Sequence, residues 1–352
     1  MRNSTAIATE APVDTTVQSR WPTLILLCTG VLMIVLDVTV VNVALPAIQE
    51  DLDFSQAGLA WVVNAYLIAF GGLLLLAGRL GDLWSRRDVF LVGMAVFTTA
   101  SFVCGAASSQ EVLIAARFVQ GVGGAMTSAV VLGMIVTLFP EPGEQAKAIG
   151  VYAFVASAGG SIGLLAGGVL TDILSWHWIF YLNIPIGIAT LALSLRMLPR
   201  DRGIGLRQGS DVLGAVLVTS ALMVGVYTIV EPAAEHGWTD DSTLGLAALS
   251  VGLLIAFVGR EATARTPLVS LDIFRSREVS AANAIQALSI AGMFGMFFLG
   301  VLYLQQVLGY APLLTGMAFL PTTIVMGTFS VRYSERLIMK VGATAVLTPG
   351  LV

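Results

Sequence analysis

The chain has 352 residues, of which 57% are hydrophobic and only 11% charged, with a formal net charge of −4, and its mean hydropathy is +0.88. A soluble domain carries roughly 25% charged residues, so this composition excludes a water-facing surface of ordinary extent. The apolar residues run in continuous blocks without a two-residue alternation, which excludes a membrane β-barrel and leaves spanning helices that satisfy their own backbone hydrogen bonds.

In chain order, residues 1–21 are rich in Thr, Ser and Ala and are expected to form a disordered cytoplasmic tail. Ten apolar blocks follow, at 22–48, 57–77, 89–107, 112–138, 147–170, 178–198, 211–230, 243–259, 281–304 and 313–330. Each is close to the roughly 20 residues that a helix needs to cross a bilayer. An eleventh block begins near Gly342 and meets Val352. The expected fold is an all-α polytopic membrane protein with about ten complete transmembrane helices plus the start of an eleventh. On this span count the chain is an apparently C-terminally truncated transporter, expected to insert but not to transport alone.

Loop charge orients the spans, because Lys and Arg stay on the cytoplasmic side. With the N-terminus in the cytoplasm, 17 of the 18 basic residues fall on the inner side and acids such as Glu50, Asp51, Asp172 and Asp240 on the outer. The exception is Arg117, inside the fourth block. Cys28 and Cys104 sit within apolar blocks and read as small buried side chains. The sequence contains no His-Glu-x-x-His or Cys-x-x-Cys pattern, so enzymatic chemistry and a metal or other cofactor are not expected, and no nucleic-acid partner is implied.

Two charged residues lie deep in spans: Asp37 in the first and Arg117 in the fourth. A charge at the bilayer centre costs at least ~2.5–3.5 kcal/mol and so must face protein or water. At about 1.5 Å per residue, Asp37 lies about 13 Å and Arg117 about 8 Å from the outer ends of their spans, within about one helical turn of the same depth. Asp37 is therefore a candidate proton-titrating carboxylate and Arg117 its partner; a fixed ion pair holding the bundle together is the alternative. The loop Gly78-Arg79-Leu80-Gly81-Asp82-Leu83-Trp84-Ser85-Arg86-Arg87 combines glycines for a tight turn with an acid at the start of the third span, placed to pair with Arg86 or Arg87. Gly78, Asp82, Arg86 and Arg87 are the candidate cytoplasmic gate. A weak internal repeat of its Arg-x-x-acid spacing occurs at Arg332 to Glu335. In the fifth span Gly159, Gly163 and Gly167 share one face, flanked by Gly160 and Gly168, and small residues at this spacing allow close helix approach. Asn64, Tyr66, Gln120 and Tyr152, with Trp61 and Phe154, are candidate lining for a substrate pocket.

Together these segments resemble the major facilitator superfamily, and within it the fourteen-helix drug:proton antiporter family (EmrB/QacA-like). Residues 78–87 resemble the signature Gly-x-Leu-x-Asp-Arg-x-Gly-Arg-Arg, with Leu83 at its first Arg and Ser85 at its second Gly. Leu36 to Pro46 resembles the first-helix signature, with Asp37 at its acid. Arg117 to Gly121 resembles the fourth-helix Arg-x-x-x-Gly motif. Gly163 to Gly168 resembles the antiporter motif Gly-Pro-x-x-Gly-Gly, with Leu164 at the Pro. Trp178 to Pro185 resembles the start of helix six. The resemblance implies proton-coupled efflux of lipophilic or cationic drugs by alternating access across the cytoplasmic membrane, with small-molecule substrates, protons and lipid as partners and a monomeric state. It also implies a six-helix domain at 22–198, a linker with two additional helices at 199–278 and the start of a second domain at 279–352. A metabolite symporter or uniporter, or a non-transporting membrane fragment, is the alternative.

Overall fold

The computed structural model describes residues 20–201, 203, 205, 211–230, 232–329 and 333. Those residues contain helices and no strand. They comprise α1 (Arg20–Asp51), α2 (Gln56–Leu83), α3 (Arg86–Gly105), α4 (Gln110–Leu138), α5 (Pro142–Ile173), α6 (His177–Tyr181), α7 (Asn183–Met197), α8 (Val212–Val230), α9 (Pro232–Glu235), α10 (Asp241–Thr263), α11 (Arg277–Leu302) and α12 (Pro312–Thr328). Nine helical segments among the described residues are long and apolar enough to cross a membrane, α6 and α7 counting as one; α12 carries a shorter apolar run. Residues 1–19, the second Arg-x-x-acid copy apart from Tyr333, and the block from Gly342 lie outside the described residues.

Serines start the helices that follow the short loops. The hydroxyls of Ser55, Ser85 and Ser109 accept hydrogen bonds from the N–H groups of Gly58, Asp88 and Val112, satisfying donors that a helix N-terminus leaves open. The helices extend past the apolar blocks at several ends, because Arg20, Trp21 and the Gly78–Leu83 stretch are helical. Trp21 is anchored by Phe139, 5.2 Å away between ring centroids.

The Gly78–Leu83 stretch corrects the sequence expectation. Gly78 and Gly81 are not turn residues: α2 runs through them to Leu83, and only Trp84 and Ser85 turn the chain. Gly81 serves packing, since a Cβ there would lie 2.5 Å from Val130 Cγ1 on α4. Asp82 is consequently in the last turn of α2 and not at the start of α3.

Helices α1 to α7 pack together around two apolar clusters. One holds Tyr66, Phe90, Met94, Phe97 and Phe139; the other holds Ile48, Phe54, Leu113, Trp176 and Phe180 toward the opposite end. Helix α8 packs on α2 and α10, its Thr219 pressed against Gly72. Helix α12 lies along α5, and α11 touches α1. Ile229, Ile255 and Leu288 are exposed. A surface this apolar, over helices of spanning length, suits hydrocarbon and not water.

Candidate functional site

Asp37, midway along α1, points into the centre of the α1–α7 bundle, where every hydrogen-bonding group around it comes from another helix. Arg117 Nη1 of α4 meets its Oδ2 at 2.5 Å. Gln120 Nε2, one turn further along α4, and Asn183 Nδ2, the first residue of α7, donate to its Oδ1 at 2.7 and 2.9 Å. Gln120 also accepts from Arg117 Nη1 at 2.6 Å and donates to Ser101 Oγ of α3 at 2.8 Å. Arg117 Nε donates to the Val62 carbonyl of α2 at 2.9 Å, and its guanidinium lies over the Tyr66 ring, 4.4 Å from the centroid. Asp37, Ser101, Arg117, Gln120, Asn183 and Tyr66 are each no more than 1% exposed.

The arrangement has a definite chemistry. A buried carboxylate is tolerable only when it is paired and its lone pairs are filled, and three donors meet Asp37. Besides Asp37, Arg117 has acceptors at Gln120 Oε1 and the Val62 carbonyl. The Tyr66 hydroxyl is buried without a hydrogen-bond partner. The sequence indicated Asp37, Arg117, Gln120 and Tyr66 but not Asn183 or Ser101 as site residues. Asn183 had a signal, as an amide within an apolar block; Ser101 had none.

Gln120 and Tyr66, expected in a substrate pocket, belong to this buried cluster. Tyr152 is half-buried and packs against the cluster that includes Phe90 and Phe97. Asn64 does line a cavity: with Asn42, Gln49, Phe298 and Gln306 it bounds about 510 Å³ between α1, α2 and α11.

At the α2–α3 turn, Arg86 pairs with Asp82 (Nη2–Oδ1 2.9 Å) and reaches Thr137 Oγ1 of α4 at 3.2 Å. Arg87 instead donates to the Leu195 carbonyl of α7 at 3.0 Å. Besides Asp88 in its own first turn, α3 meets a second acid at its N-terminus, Asp201 from the segment after α7. It accepts from Ser85 Oγ at 2.6 Å and from the backbone N–H groups of Arg86 and Arg87 at 2.8 and 3.3 Å. Partial burial works to raise the Asp201 carboxyl, but these hydrogen bonds outweigh it and hold the group below its ordinary value. Gly203 N–H closes the connection onto the Trp84 carbonyl at 2.9 Å.

Gly159, Gly163 and Gly167 face α1. Cβ atoms there would fall 3.1 Å from Leu32 Cδ1, against Thr39 Oγ1, and 2.9 Å from the Val40 carbonyl oxygen. Gly160 is looser, 3.9 Å from Thr39, and Gly168 is buried. Helix α12 approaches α5 at a different place: a Cβ on Gly316 would lie 2.8 Å from Leu165 Cα and 2.9 Å from the Leu164 carbonyl. The Leu164 side chain is fully buried among Val43 of α1, Phe297 and Val301 of α11 and Phe319 of α12.

Comparison with known proteins agrees with this architecture. The chain is 40% identical over 333 residues to a puromycin resistance protein of Streptomyces alboniger, covering 95% of this chain and 66% of that protein. It is 39% identical over 330 residues to a cephamycin export protein of Amycolatopsis lactamdurans (93% and 68%). It is 37% identical over 306 residues to a tetracenomycin C resistance and export protein of Streptomyces glaucescens (87% and 56%). The chain thus spans between about half and two thirds of the length of these relatives. The crystal structure of tetrameric PepTSo2 superposes with a TM-score of 0.55 over 88% of this chain and 72% of that one, at 12% identity, a likeness of fold alone. The model of the Major Facilitator Superfamily matches residues 27–352, a stretch holding α2 to α12 and most of α1, and the chain belongs to that superfamily.

Proposed function

We propose that this protein acts in proton-coupled efflux of drug-like, lipophilic or cationic compounds by alternating access. The observation that carries the reading is Asp37: one carboxylate in the middle of a spanning helix, held by donors from α4 and α7 and paired with an arginine that has other acceptors to turn to. An intramembrane ionisable group is costly and is a functional candidate by default. The substrate class is drawn from the relatives, whose names record antibiotic resistance and export.

Within the superfamily we place the chain among the fourteen-helix drug:proton antiporters. The six-helix domain is 22–198, α8 and α10 are the two additional helices of the 199–278 linker, and 279–352 begins the second domain. We assign the cytoplasmic membrane and a cytoplasmic N-terminus, in keeping with the distribution of Lys and Arg, and a monomeric state, as the family resemblance implies. Asp82, Arg86 and Arg87 are the cytoplasmic gate, since they tie the α2–α3 turn to α4 and α7.

The test reads protons directly. Adding a lipophilic cation to purified protein in weakly buffered detergent is expected to release protons, reported by a pH dye. Asp37→Asn, which keeps the shape and can still hydrogen-bond, is expected to insert normally and release none. Equal release from the two proteins, or none from the parent across the neutral range, overturns the reading.

A further inference from the structure

Helix α7 has its two ends in the two sites described above. At one end Asn183 donates to Asp37 Oδ1 at 2.9 Å, its only side-chain hydrogen bond among the described residues. At the other end the Leu195 carbonyl accepts from Arg87 at 3.0 Å. Just beyond it, Asp201 caps α3 through the N–H groups of Arg86 and Arg87. One helix and its short tail thus join the buried acid to the α2–α3 turn.

The packing of α7 suits it to tilt. Between the two ends lies a tight point: a Cβ on Gly187 would overlap Thr98 Oγ1 of α3. At about 1.5 Å per residue, Asn183 stands about 6 Å to one side of Gly187 and Leu195 about 12 Å to the other. A tilt about Gly187 therefore moves the end at the turn about twice as far as the end at Asp37, and the opposite way. The spanning segment is interrupted at Leu182, where α6 ends and α7 begins, and Pro185 has no N–H to give to the turn before it. On the long arm Ser194 is fully buried and its hydroxyl has no partner, so this polar group does not lock α7 in its present position.

Asn183 is also the donor best placed to respond to Asp37. Gln120, the other amide on that carboxylate, is held elsewhere as well: its Oε1 accepts from Arg117 and its Nε2 reaches Ser101. Asn183 has no such second tie. A hydrogen bond to a carboxylate is stronger than one to a neutral acid. A proton on Asp37 would therefore weaken the tie that holds α7 while Gln120 stays in place.

We propose that Asn183 is a positioning residue through which the charge on Asp37 sets the tilt of α7, which pivots on Gly187 to grip or release the α2–α3 turn. The proposal rests on the proton-coupled reading above and names how its proton site acts on its gate.

Hydrogen–deuterium exchange of the purified chain in lipid nanodiscs tests it. The amides to follow are those of Arg86 and Arg87, held by Asp201, and of Gly203, held by the Trp84 carbonyl. Asp37→Asn stands in for the protonated acid. It should speed exchange at these amides about fivefold, the change expected when a hydrogen bond to a charged group becomes one between neutral groups. Asn183→Leu should speed it at least as much alone, and adding Asp37→Asn to that variant should add nothing. Amides of α8 and α10, which pack on α2 and on each other, should exchange as in the parent throughout. The proposal is overturned by a turn that Asp37→Asn leaves unchanged, by effects of the two substitutions that multiply in the double variant, or by equal acceleration in α8 and α10. Proton release by the parent on adding a lipophilic cation is read alongside. Its absence overturns the efflux reading, whereas release with a turn insensitive to Asp37→Asn overturns this proposal alone.

Discussion

At the residue scale the Asp37–Arg117 pair shows what a linear sequence can and cannot convey. Two opposite charges, each alone in an apolar block and at matching depth, have few places to go except toward each other, so their meeting followed from block boundaries and helical rise. The donors that complete the site were harder to see. Asn183 lies 146 residues from Asp37 in sequence, and an amide or hydroxyl in a span carries no mark of which face it occupies. Tyr66 and Gln120 were singled out for a pocket because polar and aromatic side chains suit one, yet the arginine claims both. A stability prediction belongs to this cluster. Arg117→Met leaves a buried, unpaired carboxylate and is expected to cost about 3–5 kcal/mol, whereas Asp37→Asn combined with Arg117→Met should recover much of the loss. Thermal denaturation in detergent measures it. Equal loss in the single and double variants would show that the pair is not energetically coupled.

At the element scale the apolar blocks located the spans well, because hydropathy is a property of the local chain. It located their ends less well, because ends depend on caps and on partners far away. Asp201 is the plainest case: it caps α3 from the far side of four intervening helices, and the turn expected to hold Gly78, Gly81 and Asp82 is instead the last part of α2. Asp201→Ala is expected to cost about 1 kcal/mol, the usual worth of an N-cap. The pH dependence has a definite sign. A carboxyl held below its ordinary value in the folded protein stabilises it above that ordinary value, and the contribution is lost as pH falls through the lowered one. The melting difference between parent and Asp201→Ala should therefore be full at neutral pH and shrink below about pH 4; a difference constant down to acid pH would count against the cap. The glycine seam of α5 allows a cleaner comparison. Gly167→Ala would push a methyl to within 2.9 Å of the Val40 carbonyl and is expected to destabilise by about 1–3 kcal/mol. Gly150→Ala, on the same helix with open space around it, should be neutral or slightly stabilising.

At the scale of the whole molecule, the contact between α1–α7 and α11–α12 is where alternating access would act, and it was the part least legible in advance. The glycine motif of α5 indicated close helix approach but not which helix it meets. Gly159, Gly163 and Gly167 bind α5 to α1, and the reach toward α12 is made by Leu164, the residue standing where the resembling motif has Pro. Leu164 is enclosed by Val43, Phe297, Val301 and Phe319, while Gly316 lets α12 approach the α5 backbone at Leu164 and Leu165. Nearby, Asp172 accepts from the Leu313 N–H at 3.2 Å, capping the start of α12 against the end of α5. Between helices in lipid the hydrophobic effect adds little, so close packing of this kind carries the association. A bulky residue at position 316 should therefore act as a wedge. In a background where Cys28 and Cys104 are replaced by alanine, Leu164→Cys should react slowly with a membrane-permeant maleimide, because the position is enclosed. Adding Gly316→Val forces a side chain into backbone atoms that cannot move aside, and labelling should accelerate about tenfold or more, the consequence of shifting the contact by about 1.4 kcal/mol. Labelling at the same slow rate in the two proteins, with both folded, would mean that the α5–α12 contact does not hold these parts together.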